Sequence, residues 1–140
     1  MKIVDANVLL YSVDRGARQH RAAKGWLDRS LSGIEPVGFA WIVVVAFLRL
    51  STNPRIYARP LSVEQALDVV ESWLSRPQAV VVEPSATHLV NLRSILVQFG
   101  GGNLTNDAHL AALALQHRAT VVTFDHDFAR FEGVAWIEPD

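Results

Sequence analysis

The sequence predicts an α/β protein, a three-layer α/β/α sandwich around a central, mainly parallel sheet. Three observations carry that reading. Short segments dominated by apolar residues, around Lys2–Asp5, Ala79–Val82 and Thr120–Phe124, alternate with longer stretches whose apolar residues recur at helical intervals. Strands alternating with helices require crossover connections, which make parallel neighbours and a sheet covered on both faces. Acidic residues stand where these segments meet, at Asp5, Asp107 and Asp125. Strand ends and helix starts of such a sheet can converge on one crevice.

Taken in order, Lys2 to Asp5 reads as a short buried strand. A helix follows from about Gln19 to Leu31, with Ala22, Ala23, Trp26 and Leu27 on one side and Ser32-Gly33 at its end. Pro36-Val37-Gly38 reads as a second strand. Phe39 to Leu50 is torn between strand propensity at Val43, Val44 and Val45 and the helical spacing of Ala40, Val43, Phe47 and Leu50. The spacing and the terminating Asn53-Pro54 favour helix. Ser62, with Gln65 three residues later, opens a capping box. Leu67, Val70 and Leu74 are that helix's expected apolar stripe, and Pro77 its stop. After the Ala79–Val82 strand, Ser85 is the expected cap of a helix carrying Leu89, Leu92, Leu96 and Phe99 on one face, released at Gly100-Gly101-Gly102. Thr105 is the expected cap of the next helix, which runs to about Arg118. Thr120 to Phe124 then forms a strand, and Ala135 to Ile137 an edge strand.

With 140 residues, half of them hydrophobic, the chain suits one domain over residues 1–140. The net charge of −1 gives no global positive field to attract nucleic acid. Eleven of the 13 basic residues are Arg, the side chain that grips phosphate bidentately, although a codon bias is the better explanation of that excess. The lack of Cys excludes disulfides, thiolate metal sites and a Cys nucleophile. Asp5 and Asn7 interrupt the N-terminal apolar run, so no signal peptide is expected. The apolar stretch Phe39–Leu48 is short of the roughly 20 residues that span a bilayer. A soluble, cytoplasmic protein is the expectation, with no membrane partner.

Each acid has an ordinary explanation. Asp5 can close an Asx turn, Asp107 can favour a helix dipole from its first turn, and Asp125-His126-Asp127 can be a polar turn. Their common placement beside apolar runs points instead to a carboxylate cluster. Clustered carboxylates gain proton affinity unless a cation intervenes, and hard oxygens suit Mg²⁺ or Mn²⁺. Asn7 after Asp5 and Thr123 before Asp125 are small polar groups able to fix carboxylate orientation. No EF-hand spacing, Walker lysine or nucleophile elbow is present.

Four segments stand out in order: Val4-Asp5-Ala6-Asn7-Val8-Leu9-Leu10, Ala46-Phe47-Leu48-Arg49, Thr105-Asn106-Asp107-Ala108-His109-Leu110-Ala111-Ala112-Leu113-Ala114 and Val122-Thr123-Phe124-Asp125-His126-Asp127-Phe128. Together they resemble the ordered motifs of PIN-domain ribonucleases of the VapC toxin branch. The resemblance implies a PIN-like fold and a Mg²⁺- or Mn²⁺-dependent endoribonuclease. It assigns Asp5, Asp107 and Asp125 as catalytic acids and metal ligands, Asp127 as an auxiliary metal acid, and Asn7 and Thr123 as their supports. It implies a homodimer, an RNA substrate and a cognate VapB-like antitoxin. Arg49 is a candidate for the RNA backbone.

One position departs from the family pattern. Ala46 stands where a Glu is usual, and Ala cannot ligate metal or position water. A water, another acid such as Glu83, or reduced activity are the alternatives, and a PIN module that binds RNA or an antitoxin without efficient cleavage is the rival reading. A response-regulator receiver would need a late-strand Lys, and no Lys follows Lys24. The five histidines show no helical zinc pairing. Trp26, Trp41, Trp73 and Trp136 read as core or dimer packing. The segment Asn53–Pro60, with Arg55, Tyr57 and Arg59, reads as a connecting loop or a rim that meets RNA or antitoxin.

Overall fold

The structure is a computed structural model describing all 140 residues. Five strands form one parallel sheet: β1 (Lys2–Val4), β2 (Val37–Ala40), β3 (Ala79–Val82), β4 (Thr120–Val122) and β5 (Trp136–Ile137). Their spatial order is β3-β2-β1-β4-β5, and every pairing is parallel. Strand order reverses direction at β1, so the crevice beyond its carboxyl end is a topological switch point. Asp5 is the residue that leaves β1 there.

Six helices cover the sheet: α1 (Ala6–Val13), α2 (His20–Leu31), α3 (Trp41–Ser51), α4 (Val63–Leu74), α5 (His88–Phe99) and α6 (Thr105–His117). Helix α1 escapes the sequence reading, because eight residues with Val8-Leu9-Leu10 at their centre look like an apolar strand. Its start is set by Asp5, whose Oδ1 accepts the Ala6 amide at 2.7 Å. The ambiguous segment resolves by division. Phe39 and Ala40 extend β2, and the helix begins only at Trp41. Helix α4 has the full capping box: Ser62 Oγ accepts the Gln65 amide at 3.0 Å, and the Ser62 amide donates to Gln65 Oε1 at 2.9 Å.

Two expected caps are displaced. Thr87, not Ser85, precedes α5; Ser85 Oγ accepts the Thr87 amide at 3.2 Å and closes the turn before the helix. Thr105 is the first residue of α6 rather than its cap, since a 3-10 turn at Gly102–Leu104 leads directly into it. Two stripe residues also face outward. Leu67 and Leu89 are exposed, while Ala66 and Ile95 are buried in their place; Val70 is buried as expected. Strand β4 ends at Val122, leaving Thr123 and Phe124 outside the ladder.

The core runs on both sides of the sheet. Ile3, Val4, Val37, Phe39, Val121 and Val122 are fully or almost fully buried strand residues. Val8 and Leu9 of α1, Phe47 of α3 and Ala108 to Ala114 of α6 (His109 apart) close over them. Trp73 lies against Phe39 and Phe47, with ring centroids at 6.4 and 5.0 Å, and Trp26 is buried in α2. Trp41 is half-exposed. No helix is long and apolar enough to cross a membrane.

Phe47 anchors α3, the helix that carries Ala46 and Arg49. Phe47→Ala should lower unfolding stability by about 3–5 kcal/mol, read as a shifted urea midpoint. A loss below about 1 kcal/mol would contradict this packing.

Candidate active site

The site is built from the chain's exits from β1 and β4 and from the first turn of α6. Asp5 leaves β1 as the cap of α1. Its Oδ2 accepts from Thr123 Oγ1 at 2.8 Å and from Asn7 Nδ2 at 3.2 Å. Asn7 Nδ2 also donates to Thr123 Oγ1 at 3.0 Å, and Asn7 Oδ1 accepts the Phe124 amide at 3.1 Å. Thr123 Oγ1 in turn accepts the Asp125 amide at 3.0 Å. Thr123 is fully buried. This network welds two segments 118 residues apart in sequence, and it uses both residues that sequence reasoning chose as supports.

Asp107 enters from the first turn of α6. With Asp5 it lines one cavity of about 360 Å³, otherwise walled by apolar residues of α3 including Val43 and Ala46, by Leu110, and by Arg49 and Asn106. Burial first, then the charges of Asp5, Asp125 and Asp127, push the Asp107 carboxyl up to about 6 from an ordinary 3.8. No hydrogen bond offsets that rise. Burial also raises Asp5, opposed by the hydrogen bonds from Thr123 and Ala6 and reinforced by the charge of Asp125.

Asp125 and Asp127 stand beside this cavity rather than in its wall. Asp125 Oδ1 accepts the Asp127 amide at 2.9 Å, capping a 3-10 turn over His126–Arg130. Asp127 is paired with Arg130 at 3.6 Å. No three acidic or histidine side chains are gathered closely enough to enclose one ion by themselves. Asp5 and Asp107 are therefore the two acids that share the cavity, and the other pair act on it through their charge. Arg49 lines the cavity without a carboxylate partner. Glu83 does not line it. Its carbonyl takes Gln116 Nε2 at 3.1 Å instead. His109 is turned to His88, with Nδ1 and Nε2 at 2.8 Å, and burial followed by the His88 charge lowers its pKa. His126 meets Glu138 at 2.9 Å.

The donor set fits a hard divalent ion. Its atoms are carboxylate oxygens, one acid has no hydrogen-bond donor, and no Lys or Arg forms an ion pair with Asp5 or Asp107. Mg²⁺ characteristically keeps several waters and takes only one or two protein carboxylates.

A parallel-sheet α/β fold with carboxylates at the switch point defines a crevice whose chemistry suits a divalent cation. The PIN domain family profile matches residues 2–134, and the chain belongs to that family. It is 51% identical to Ribonuclease VapC37 of Mycobacterium tuberculosis, covering 99% of this chain and 97% of that protein. Ribonuclease VapC33 of the same species is 35% identical over 99% of this chain and 98% of its own length. The fold is similar to the crystal structure of M. tuberculosis VapC20, described as a Sarcin-Ricin loop cleaving toxin. That match has a TM-score of 0.73 at 19% identity, with 99% of this chain and all of the other covered. VapBC2 from Rickettsia felis, bound to a promoter DNA fragment, matches with a TM-score of 0.70 at 20% identity over 99% and 98% of the two chains.

Two outcomes follow from the geometry. Because the folded-state pKa of Asp107 lies above its unfolded value, its contribution to stability is complete below about pH 4 and is lost as pH rises to about 6. Asp5 acts in the same direction. In EDTA, urea midpoints should show wild type losing stability across that interval relative to Asp107→Asn, with the variant the more stable at pH 7; parallel profiles would contradict it. Thr123→Val keeps the shape but removes a hydroxyl with three partners, and should cost about 2–3 kcal/mol in the same assay.

Proposed function

We propose that this chain is a divalent-metal-dependent endoribonuclease acting as the toxin of a toxin–antitoxin pair. The observation that carries the reading is the shared cavity of Asp5 and Asp107, two acids with no basic partner, in a chain whose full-length relatives are named ribonucleases. Its partner is a VapB-like antitoxin, as the solved VapBC neighbours suggest, and a cytoplasmic homodimer is the form expected of it.

Asp5 and Asp107 would hold Mg²⁺ or Mn²⁺, with Asp125 assisting directly or through water. A bound ion there supplies Lewis acidity to a phosphoryl oxygen and acidity to a coordinated water. The remaining work belongs to the chain's own groups. Thr123 and Asn7 hold the Asp5 carboxylate in one orientation, and the Ala6 amide fixes its second oxygen. Asp125 and Asp127 add negative charge, which strengthens cation binding. Arg49, which lines the same cavity, would donate to a non-bridging oxygen of the scissile phosphate. The apolar wall formed by Val43, Ala46 and Leu110 keeps the local dielectric low, so these charges act strongly. Hydrolysis in this arrangement leaves a 5′-phosphate and a 3′-hydroxyl.

Ala46 supports a second reading, a module that binds RNA or antitoxin with little cleavage, because it puts a methyl group in the cavity wall where the family usually has a carboxylate. Turnover separates the two. Wild type should cleave RNA with Mg²⁺ or Mn²⁺ and not with EDTA, and Asp5→Asn and Asp107→Asn should each lose at least about a hundredfold in rate, the scale expected when a preorganised charged group is removed. Mn²⁺ should raise the melting temperature of wild type at pH 7.5 and not that of either variant. RNA binding without metal-dependent cleavage would establish the module reading. Undiminished cleavage by Asp5→Asn would refute the assigned site.

A further inference from the structure

A second cavity lies at the opposite end of the same seam. Ala6, Leu10 and Val13 fall on one face of α1, at i, i+4 and i+7. Ala6 lines the Asp5–Asp107 cavity, whereas Leu10 and Val13 line a cavity of about 540 Å³. Helix α3 bridges them in the same way, with Ala46 and Arg49 in the first and Ser51 in the second. Leu10 and Val13 stand four and seven residues after Ala6, so at 1.5 Å per residue the lining positions of the two cavities are about 6–10 Å apart along the α1 axis.

Four features mark the second cavity as unfilled recognition chemistry. Ser51 is only 3% exposed, and its Oγ is buried without a hydrogen-bond partner. A buried hydroxyl left unmatched is costly, and native structures rarely carry one without reason. Arg15 and Arg59 both line the cavity and neither has a carboxylate partner. Tyr57 lines it too, and burial, followed by the charges of Asp14 and Tyr11, raises its pKa, so the phenol stays a donor. The loop that presents Tyr57 and Arg59 is turned on itself by the Tyr57 amide donating to the Asn53 carbonyl at 3.1 Å, and is tied back to the end of α3 by the Leu61 amide donating to the Ser51 carbonyl at 2.9 Å.

The charge of the lining selects the ligand. Asp14 is the one acid there, and its Oδ1 is engaged by the Gly16 amide at 3.0 Å. Two guanidiniums against one carboxylate leave a single net positive charge. A phosphodiester carries a single negative charge, which balances it; a terminal phosphate or a run of acidic side chains carries more. The same two helices, α1 and α3, line the proposed cleavage site, so an RNA strand running from Asp5 and Asp107 along α1 would reach this cavity.

We infer that the cavity between the ends of α1 and α3 is an RNA subsite, in which Arg15, Arg59, Tyr57 and Ser51 hold a phosphodiester a few nucleotides away from the scissile bond. This rests on RNA being the substrate. It makes Arg15 and Arg59 positioning residues that set how the strand lies rather than groups that touch the reacting atoms.

The test is equilibrium binding of a fluorescein-labelled single-stranded RNA octamer, with EDTA present so that neither cleavage nor a metal contributes. Arg15→Gln and Arg59→Gln should each weaken binding roughly tenfold, and each should reduce the slope of log K against log salt by about 0.7, the value for one lost single-strand phosphate contact. The loss should be similar for octamers of different sequence, as a backbone contact requires. Ser51→Ala should weaken binding while leaving the free protein at least as stable. Wild-type affinity and salt slope in both arginine variants, or no RNA binding by wild type in EDTA, would overturn the subsite. Cleavage by wild type in Mg²⁺, measured separately, reports on the nuclease reading whichever way the subsite falls. If the arginine variants bind RNA normally but lose affinity for the antitoxin encoded beside this chain, the cavity is a protein-partner site and the inference is wrong.

Discussion

One carboxylate ties the functional edge of this protein together. Asp5 ends β1, caps α1 through the Ala6 amide, and fastens the exit of β4 through Thr123. Strand β1 is central, with β2 on one side and β4 on the other, so whatever Asp5 fixes is fixed relative to the whole sheet. Asn7 completes the joint by bonding both Asp5 and Thr123 and by receiving the Phe124 amide. The hydrogen bonds that orient Asp5 are therefore the same ones that hold two distant parts of the chain in register.

That construction leaves an electrostatic debt unsettled at Asp107. The helix start brings its carboxyl into the cavity of Asp5, where it accepts no hydrogen bond and forms no ion pair, although Arg49 lines the same cavity. Proton uptake near pH 6 relieves the repulsion in the absence of metal. A divalent cation relieves it at neutral pH and leaves both acids ionised. The site is thus less stable empty than a structural ion pair would be, which is the usual relation between binding sites and folding stability. Asp125 and Asp127 deepen the negative field without entering the cavity wall. Their own oxygens are partly engaged, by the Asp127 amide and by Arg130.

Most of the scaffold was legible because alternation of apolar strands with periodic helices leaves few topologies open. The capping box at Ser62 and Gln65 was readable because it is a local pattern with a local cause. Misreadings arose where tertiary contacts decided the outcome. Helix α1 is eight residues long and apolar at its centre, so its pattern alone is that of a strand. Its start depends on Asp5 being held by Thr123 from far along the chain. Leu67 and Leu89 fit the helical stripes of their own segments, yet α4 and α5 turn Ala66 and Ile95 inward instead. The positions of Asp5, Asp107, Asn7 and Thr123 were visible as acids and small polar groups at segment boundaries. Which acids share a cavity was not, since that depends on how far α6 carries Asp107 over the sheet. The Arg15–Tyr57–Arg59 cavity left only a faint sequence signal, two separated basic segments with no common motif.

The central claim is that Asp5 and Asp107 jointly hold one divalent ion. Anomalous diffraction from crystals grown with Mn²⁺ near pH 7.5 tests it most directly. The account predicts a single strong peak between the two carboxylates, at roughly the 2.0–2.2 Å ligand distances of hard divalent ions, with water filling the remaining positions. No peak there, or a peak bound by other residues while Asp107 points away from Asp5, would contradict it.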